Sequence, residues 1–164
     1  EATDIVLCQL EVPVSAVEAA VARAHEIGAK SVVNLAPAID VPNALLEQAD
    51  ILIVNEIEAA HYGDALHQRE GWVVVTLGKA GAVLYAGGKE LARAPAFEGE
   101  AVDTTGAGDT FCGALAVAIG EHMPPETALR FASAAAALAV TRAGAQPSLP
   151  TRARVEAFLK AQRA

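Results

Sequence analysis

Cysteine is scarce in this chain: only Cys8 and Cys112 stand in 164 residues. Two distant thiols make no disulfide framework, and the expectation is a reducing, cytoplasmic setting. Basic residues are also few, 12 Lys and Arg against 20 Asp and Glu, for a net charge of −8. No Lys/Arg run offers the footprint that a nucleic-acid backbone needs, so no nucleic-acid partner is expected. The longest apolar run, residues 134–140, is Ala-rich and far shorter than a bilayer is thick. No signal-peptide pattern appears either, and no membrane partner is expected. Aromatics supply 4% of the residues and hydrophobics 53%, so the core of a globular fold must be aliphatic. The four histidines His25, His61, His67 and His122 show no metal-ligand spacing.

Two common nucleotide motifs are missing as well. A dinucleotide fingerprint begun at Gly106 would need a third glycine where Phe111 stands, and the Gly-Lys-Ser/Thr of a P-loop is absent. What stands instead is Val102-Asp103-Thr104-Thr105-Gly106-Ala107-Gly108-Asp109-Thr110-Phe111-Cys112-Gly113. Small and apolar residues follow at a spacing that predicts a buried helix. A glycine loop that opens a helix turns free backbone N–H groups outward, where the helix dipole adds partial positive charge. Such a place suits an anion, phosphate above all. A carboxylate beside it, Asp109, would repel that anion unless it had a task, such as taking a proton from an attacking hydroxyl. The plain alternative is a helix cap with Asp109 as a surface residue. Cys112, in the first turn, is either a thiol of lowered pKa or a small buried side chain.

The rest of the chain alternates strands and helices. Residues 5–10, 31–35 and 51–54 predict short buried strands. Ser15 with Glu18 predicts a capping box for a helix closed by Gly28. Pro42 suits the start of a second helix, running to about Gln48. Single helices between strands imply parallel pairing and right-handed crossovers. Asn55-Glu56-Ile57-Glu58 follows the third strand directly, at the carboxyl end where ligands collect in open α/β sheets. It also reads as a capping box, Asn as N-cap and Glu at N3; the two readings are compatible. The 21 residues from Asn55 to Thr76 leave room for about one helix. Residues 72–77 predict a central strand. Gly78 and Gly81 then turn the chain into residues 82–86, and Gly87-Gly88 turns a second hairpin into residues 90–94. Lys79 reads as a solvated turn residue that could also reach a phosphate. A helix is expected from about Glu126 to Arg142, a loop over residues 145–148, and a last helix after Thr151 with Val155, Phe158 and Leu159 inward.

The stretch from Asp103 to Phe111 resembles the C-terminal signature of the ribokinase (PfkB) family of carbohydrate kinases, D-T-x-G-A-G-D-x-F. Asn55-x-x-Glu58 is similar to the family's N-x-x-E motif, and Thr76-x-Gly78-x-x-Gly81 to its T-x-G-x-x-G loop. The run Thr141-Arg142-x-Gly144-Ala145-Gln146-Pro147-Ser148 is strongly ribokinase-like. The resemblance implies an ATP-dependent sugar kinase, most closely one making ribose 5-phosphate from ribose. It makes Asp109 the general base that meets the sugar hydroxyl, and the amides of Gly106, Ala107 and Gly108 the anion hole. It assigns Asn55, Thr76, Gly78, Gly81, Gly108 and Ser133 to ATP. It gives Glu58 to Mg²⁺ through water, and Asp103, Thr105, Ala139, Arg142, Gly144 and Ser148 to a monovalent cation, K⁺. For Asp103 the residue-level alternative is a turn-stabilising role.

The implied fold is a ribokinase-like, three-layer α/β fold: parallel strands with crossover helices plus an antiparallel hairpin in a mixed sheet. Residues 1–164 are expected to form one α/β nucleotide-binding part of such a kinase. The N-terminal half, with the lid and most sugar contacts, is expected to lie elsewhere, and the whole enzyme to be a homodimer. The chain alone is expected to be inactive and to associate through its open sheet edge. The competing reading is a non-catalytic ATP-binding module of the same fold.

Overall fold

The computed structural model describes residues 4–97 and 101–162. They form two compact units. The first comprises the residues up to Leu77 with Val83–Arg93, and the second Gly78–Ala82 with the residues from Ala94 onward.

The first unit is built on strands β1 (Ile5–Gln9), β2 (Lys30–Asn34), β3 (Ile51–Asn55) and β4 (Trp72–Thr76), continued by β5 (Ala82–Ala86) and β6 (Lys89–Ala94). The six strands lie in sequence order in one sheet. β1 through β4 pair in parallel. The link from β4 to β5 spans residues 77–81, and Gly87-Gly88 alone joins β5 to β6. A parallel crossover needs about a dozen residues or more, so both of these pairs are antiparallel and the sheet is mixed. Gly87 and Gly88 have φ of 53° and 72°, the left-handed pair that a tight hairpin turn demands.

Crossover helices α1 (Val14–Glu26), α2 (Asn43–Gln48), α3 (Glu56–Tyr62) and α4 (Asp64–His67) join the parallel strands. α1 packs on β1 and β2, α3 on β3 and β4, and α2 lies against α1 and α4. Residues Ile51 to Val54 of β3 are all buried, as a central parallel strand should be. Leu10, Val17, Val21, Val33, Leu35, Leu45, Leu52 and Val54 form the aliphatic core of this unit.

Two expectations fail here. The Ser15–Glu18 capping box does not form, because Pro13 is the N-cap and its carbonyl accepts from Ala16 and Val17 N–H at 2.8 and 3.3 Å. Pro13 already sits at φ −53° and ψ 133°, so the helix starts before Ser15 can cap it. The segment between Asn55 and Thr76 holds two short helices, not one. Gly63, at φ 53°, breaks the helix sharply enough for α4 to begin at the next residue.

The second unit is helical, with α5 (Ala107–Gly120), α6 (Pro125–Ala139), α7 (Ala145–Ser148) and α8 (Arg152–Ala161). α5 packs along α6, and α8 and α7 also rest on α6. Pro125 opens α6 at a position where its missing N–H costs nothing. Leu115, Ala118, Ala128, Leu129, Ala132 and Ala134 are completely or almost completely buried, the small alanines among them permitting a close helix pair. α6 stops at Ala139 rather than near Arg142, and residues 145–148, expected as loop, make one helical turn. Val155 is buried in α8 and Phe158 and Leu159 half-buried, as the last helix was expected to place them.

Candidate functional site

In the first unit the polar residues gather where β3 and β4 end. Asn55 and Thr76 are register partners there. Asn55 caps α3, its Oδ1 accepting from the N–H of Ile57 at 2.9 Å and of Glu58 at 3.0 Å. Glu58 returns both carboxylate oxygens: Oε2 accepts from Asn55 N–H at 2.7 Å and Oε1 from Asn55 Nδ2 at 2.9 Å. The capping box is therefore complete. Glu58 is only 6% exposed and sits in the first turn of the helix. The Thr76 hydroxyl donates to the Val54 carbonyl at 3.3 Å.

In the second unit, Gly78–Ala80 makes a single 3₁₀ turn. Gly78 and Gly81 both have positive φ, 52° and 97°, but different surroundings. A Cβ at Gly81 would collide with the Ala94 carbonyl, whereas one at Gly78 would meet nothing within 4 Å. Lys79, between them, is exposed.

The loop into α5 turns at Gly106, which is left-handed at φ 74° and ψ 6°. Its Cα faces Ala145, so that a Cβ would lie 3.3 Å from the Ala145 methyl. The Ala107 N–H, one of the amides expected to line an anion hole, donates to the Thr104 carbonyl at 3.2 Å. Tightening of the loop into an i→i+3 turn is what engages it. The N–H groups of Gly108 and Asp109 hold no hydrogen bond among the described residues. Gly108 is exposed, its φ is not left-handed, and a Cβ there would point into open space. Asp109, at the third helical position, is exposed as well.

Asp103 fastens this loop. Its Oδ1 accepts from Thr105 N–H at 2.9 Å, the Asx turn, and its Oδ2 accepts from Gly144 N–H at 2.8 Å. The bond from Gly144, with those from Thr105, holds the Asp103 carboxyl down at about 2. The Val140 carbonyl accepts from Val102 and Asp103 N–H at 2.8 and 3.1 Å, tying the same loop to the end of α6. The residues assigned to a monovalent cation are thus partly brought together: Asp103, Thr105 and Gly144 touch directly. The Ala139 carbonyl takes the Arg142 N–H at 3.2 Å. Ser148 is fully buried and donates to the Ala145 carbonyl at 2.7 Å. The Arg142 side chain is exposed, and Ser133 is buried in α6. Among the described residues no group of three His, Cys, Asp or Glu could hold a metal ion, and no helix is long and apolar enough to cross a membrane.

One residue here escaped the sequence reading. Thr110 is 6% exposed, and both its N–H and its hydroxyl donate to the Gly106 carbonyl, at 2.9 and 2.8 Å. A hydroxyl four residues after a helix-opening glycine was the available signal.

Residues 2–152 match the pfkB family of carbohydrate kinases. This chain is a member of that family. Among its relatives is the ribokinase of Bacillus subtilis, 40% identical over 165 residues, covering 97% of this chain and 56% of the relative. The ribokinase of Haemophilus influenzae is 38% identical, with 96% of this chain and 56% of the relative covered. The structure of Arabidopsis thaliana ribokinase complexed with ribose and ATP superposes with a TM-score of 0.88 at 35% identity, covering 95% of this chain and 55% of that one. The pfkB chain described here therefore spans about half the length of the curated relatives it matches. Its mixed sheet and crossover helices are of the ribokinase-like α/β fold.

Proposed function

We propose that this chain is the nucleotide-binding part of an ATP-dependent carbohydrate kinase, with ribose as the acceptor and ribose 5-phosphate as the product. The observation that carries the reading is the start of α5. Two open amides, at Gly108 and Asp109, and an exposed carboxylate stand together on the first turn of a 14-residue helix. Amides and dipole there suit a phosphate, and the carboxylate suits the hydroxyl that attacks it. Ribose is favoured because the relatives at 40% and 38% identity are ribokinases and a similar structure holds ribose and ATP.

In this account the sugar oxygen attacks the γ-phosphorus. Its proton passes to the Asp109 carboxylate, and the bond from that phosphorus to the ADP oxygen breaks. The amides of Gly108 and Asp109 stabilise the charge that builds on the transferred group. Within the second unit, Gly78, Gly81 and Ser133 serve the nucleotide. Each Glu58 oxygen accepts one hydrogen bond and keeps a further lone pair, so the carboxylate suits a metal-bound water better than the ion itself. Mg²⁺ held there would keep most of its waters. Asp103, ionised down to about 2, with the carbonyls near it and Ser148, suits a monovalent cation beside the same helix start.

The second reading is an ATP-binding module of the same fold without turnover of its own. ADP release measured with ribose and a panel of other sugars, with and without K⁺, separates the two. Ribose-dependent release that rises with K⁺ supports the kinase. ATP binding without release on any sugar selects the module.

A further inference from the structure

We propose that Thr110 is a positioning residue for the phosphate site at the start of α5, an inference that rests on the reading of that site given above. Gly106 is the pivot of the loop. It sits in the left-handed region, and its peptide to Ala107 sets the direction of the amides that follow. That peptide is held from two sides. On one, the Ala107 N–H is engaged by the Thr104 carbonyl at 3.2 Å. On the other, the Gly106 carbonyl is gripped twice by one residue, through Thr110 N–H at 2.9 Å and Thr110 Oγ1 at 2.8 Å.

The backbone bond is the ordinary helical one and would survive any side chain. The hydroxyl bond is specific to Ser or Thr at this position. Thr110 is 6% exposed, so water cannot easily replace a lost hydroxyl at Gly106. With both peptide ends fixed, the next two amides, of Gly108 and Asp109, have no freedom to turn inward and remain open. Thr110 itself is buried, so its part is to hold the loop. Its contribution is a preorganised donor pair, which lowers the cost of ordering the loop on binding.

The test is a set of calorimetric titrations of the full chain with MgATP and with adenosine, for native protein, Thr110→Val, Thr110→Ser and Gly108→Val. Thr110→Val keeps the shape and removes the hydroxyl. It should weaken MgATP by about three- to tenfold, the worth of one buried hydrogen bond. Adenosine affinity should not change, because adenosine carries no phosphate, whereas a general loss of packing would weaken both. Thr110→Ser should restore MgATP affinity. Unchanged MgATP affinity in Thr110→Val, equal losses for both ligands, or a failure of Thr110→Ser to restore binding would each overturn the proposal. Gly108→Val reports on the underlying site. If it leaves MgATP affinity intact, or if the native chain binds no MgATP, the phosphate-site reading itself fails and takes this inference with it.

Discussion

Gly106 and Gly108 stand two residues apart and are glycine for different reasons. Gly106 is required by the fold: its φ is 74°, and a Cβ would press on Ala145. Gly108 is not: it lies in the first turn of a helix, and a Cβ there would enter open space. Gly106→Ala should therefore lose roughly 1–2 kcal/mol of stability to left-handed strain. Gly108→Ala should lose none and could gain up to about 1 kcal/mol, since Ala is the better helix former. MgATP affinity should fall in both. Urea unfolding and calorimetry on the two variants check this; a Gly108→Ala protein that binds as well as native would leave that glycine without a reason.

Asp103 carries the pH prediction. Its carboxyl is held at about 2, below its ordinary 3.8, by N–H donors from Gly144 and Thr105. A depressed carboxylate contributes stability above the unfolded value, and that contribution is lost as pH falls through the folded one. Thermal stability should thus drop between about pH 4 and pH 2 in the native chain. The drop should be smaller in Asp103→Asn, which cannot titrate. Equal slopes for the two proteins in thermal melts across this range would contradict the assignment. At this scale the Gly106–Asp109 loop and the Asp103 turn were legible, because residue type at fixed spacing dictates backbone conformation. The engaged Ala107 amide and the grip of Thr110 on Gly106 were not, because they depend on how tightly the loop closes.

Elements were legible where their signals were redundant. The parallel strands announced themselves by Val and Ile runs, and the β5–β6 hairpin by Gly87-Gly88. The capping box at α3 has both of its halves in the structure. Asn55→Ala removes its N-cap half and should cost about 0.5–2 kcal/mol, read from urea unfolding of the full chain. A loss no greater than that of an exposed surface substitution would show that the cap adds nothing. Elements were illegible where one residue overrode a pattern. Pro13 starts α1 before Ser15 can cap it, and Gly63 splits α3 from α4. The single turn of α7, which Gly144 precedes at φ 84°, is too short for a propensity argument over four residues to foresee.

On the scale of the whole chain, the excess of 20 acidic over 12 basic residues looks hostile to a polyphosphate. In the proposed site, backbone amides and a helix dipole take the place of lysines. The central claim is that Asp109 takes the proton of the acceptor hydroxyl. The test is ribose-dependent ADP release by the whole enzyme at saturating MgATP, native against Asp109→Asn. In Asp109→Asn kcat should fall about 10²–10⁴-fold with little change in MgATP affinity, because the Asp109 amide is retained. Turnover by Asp109→Asn at the native rate would contradict it.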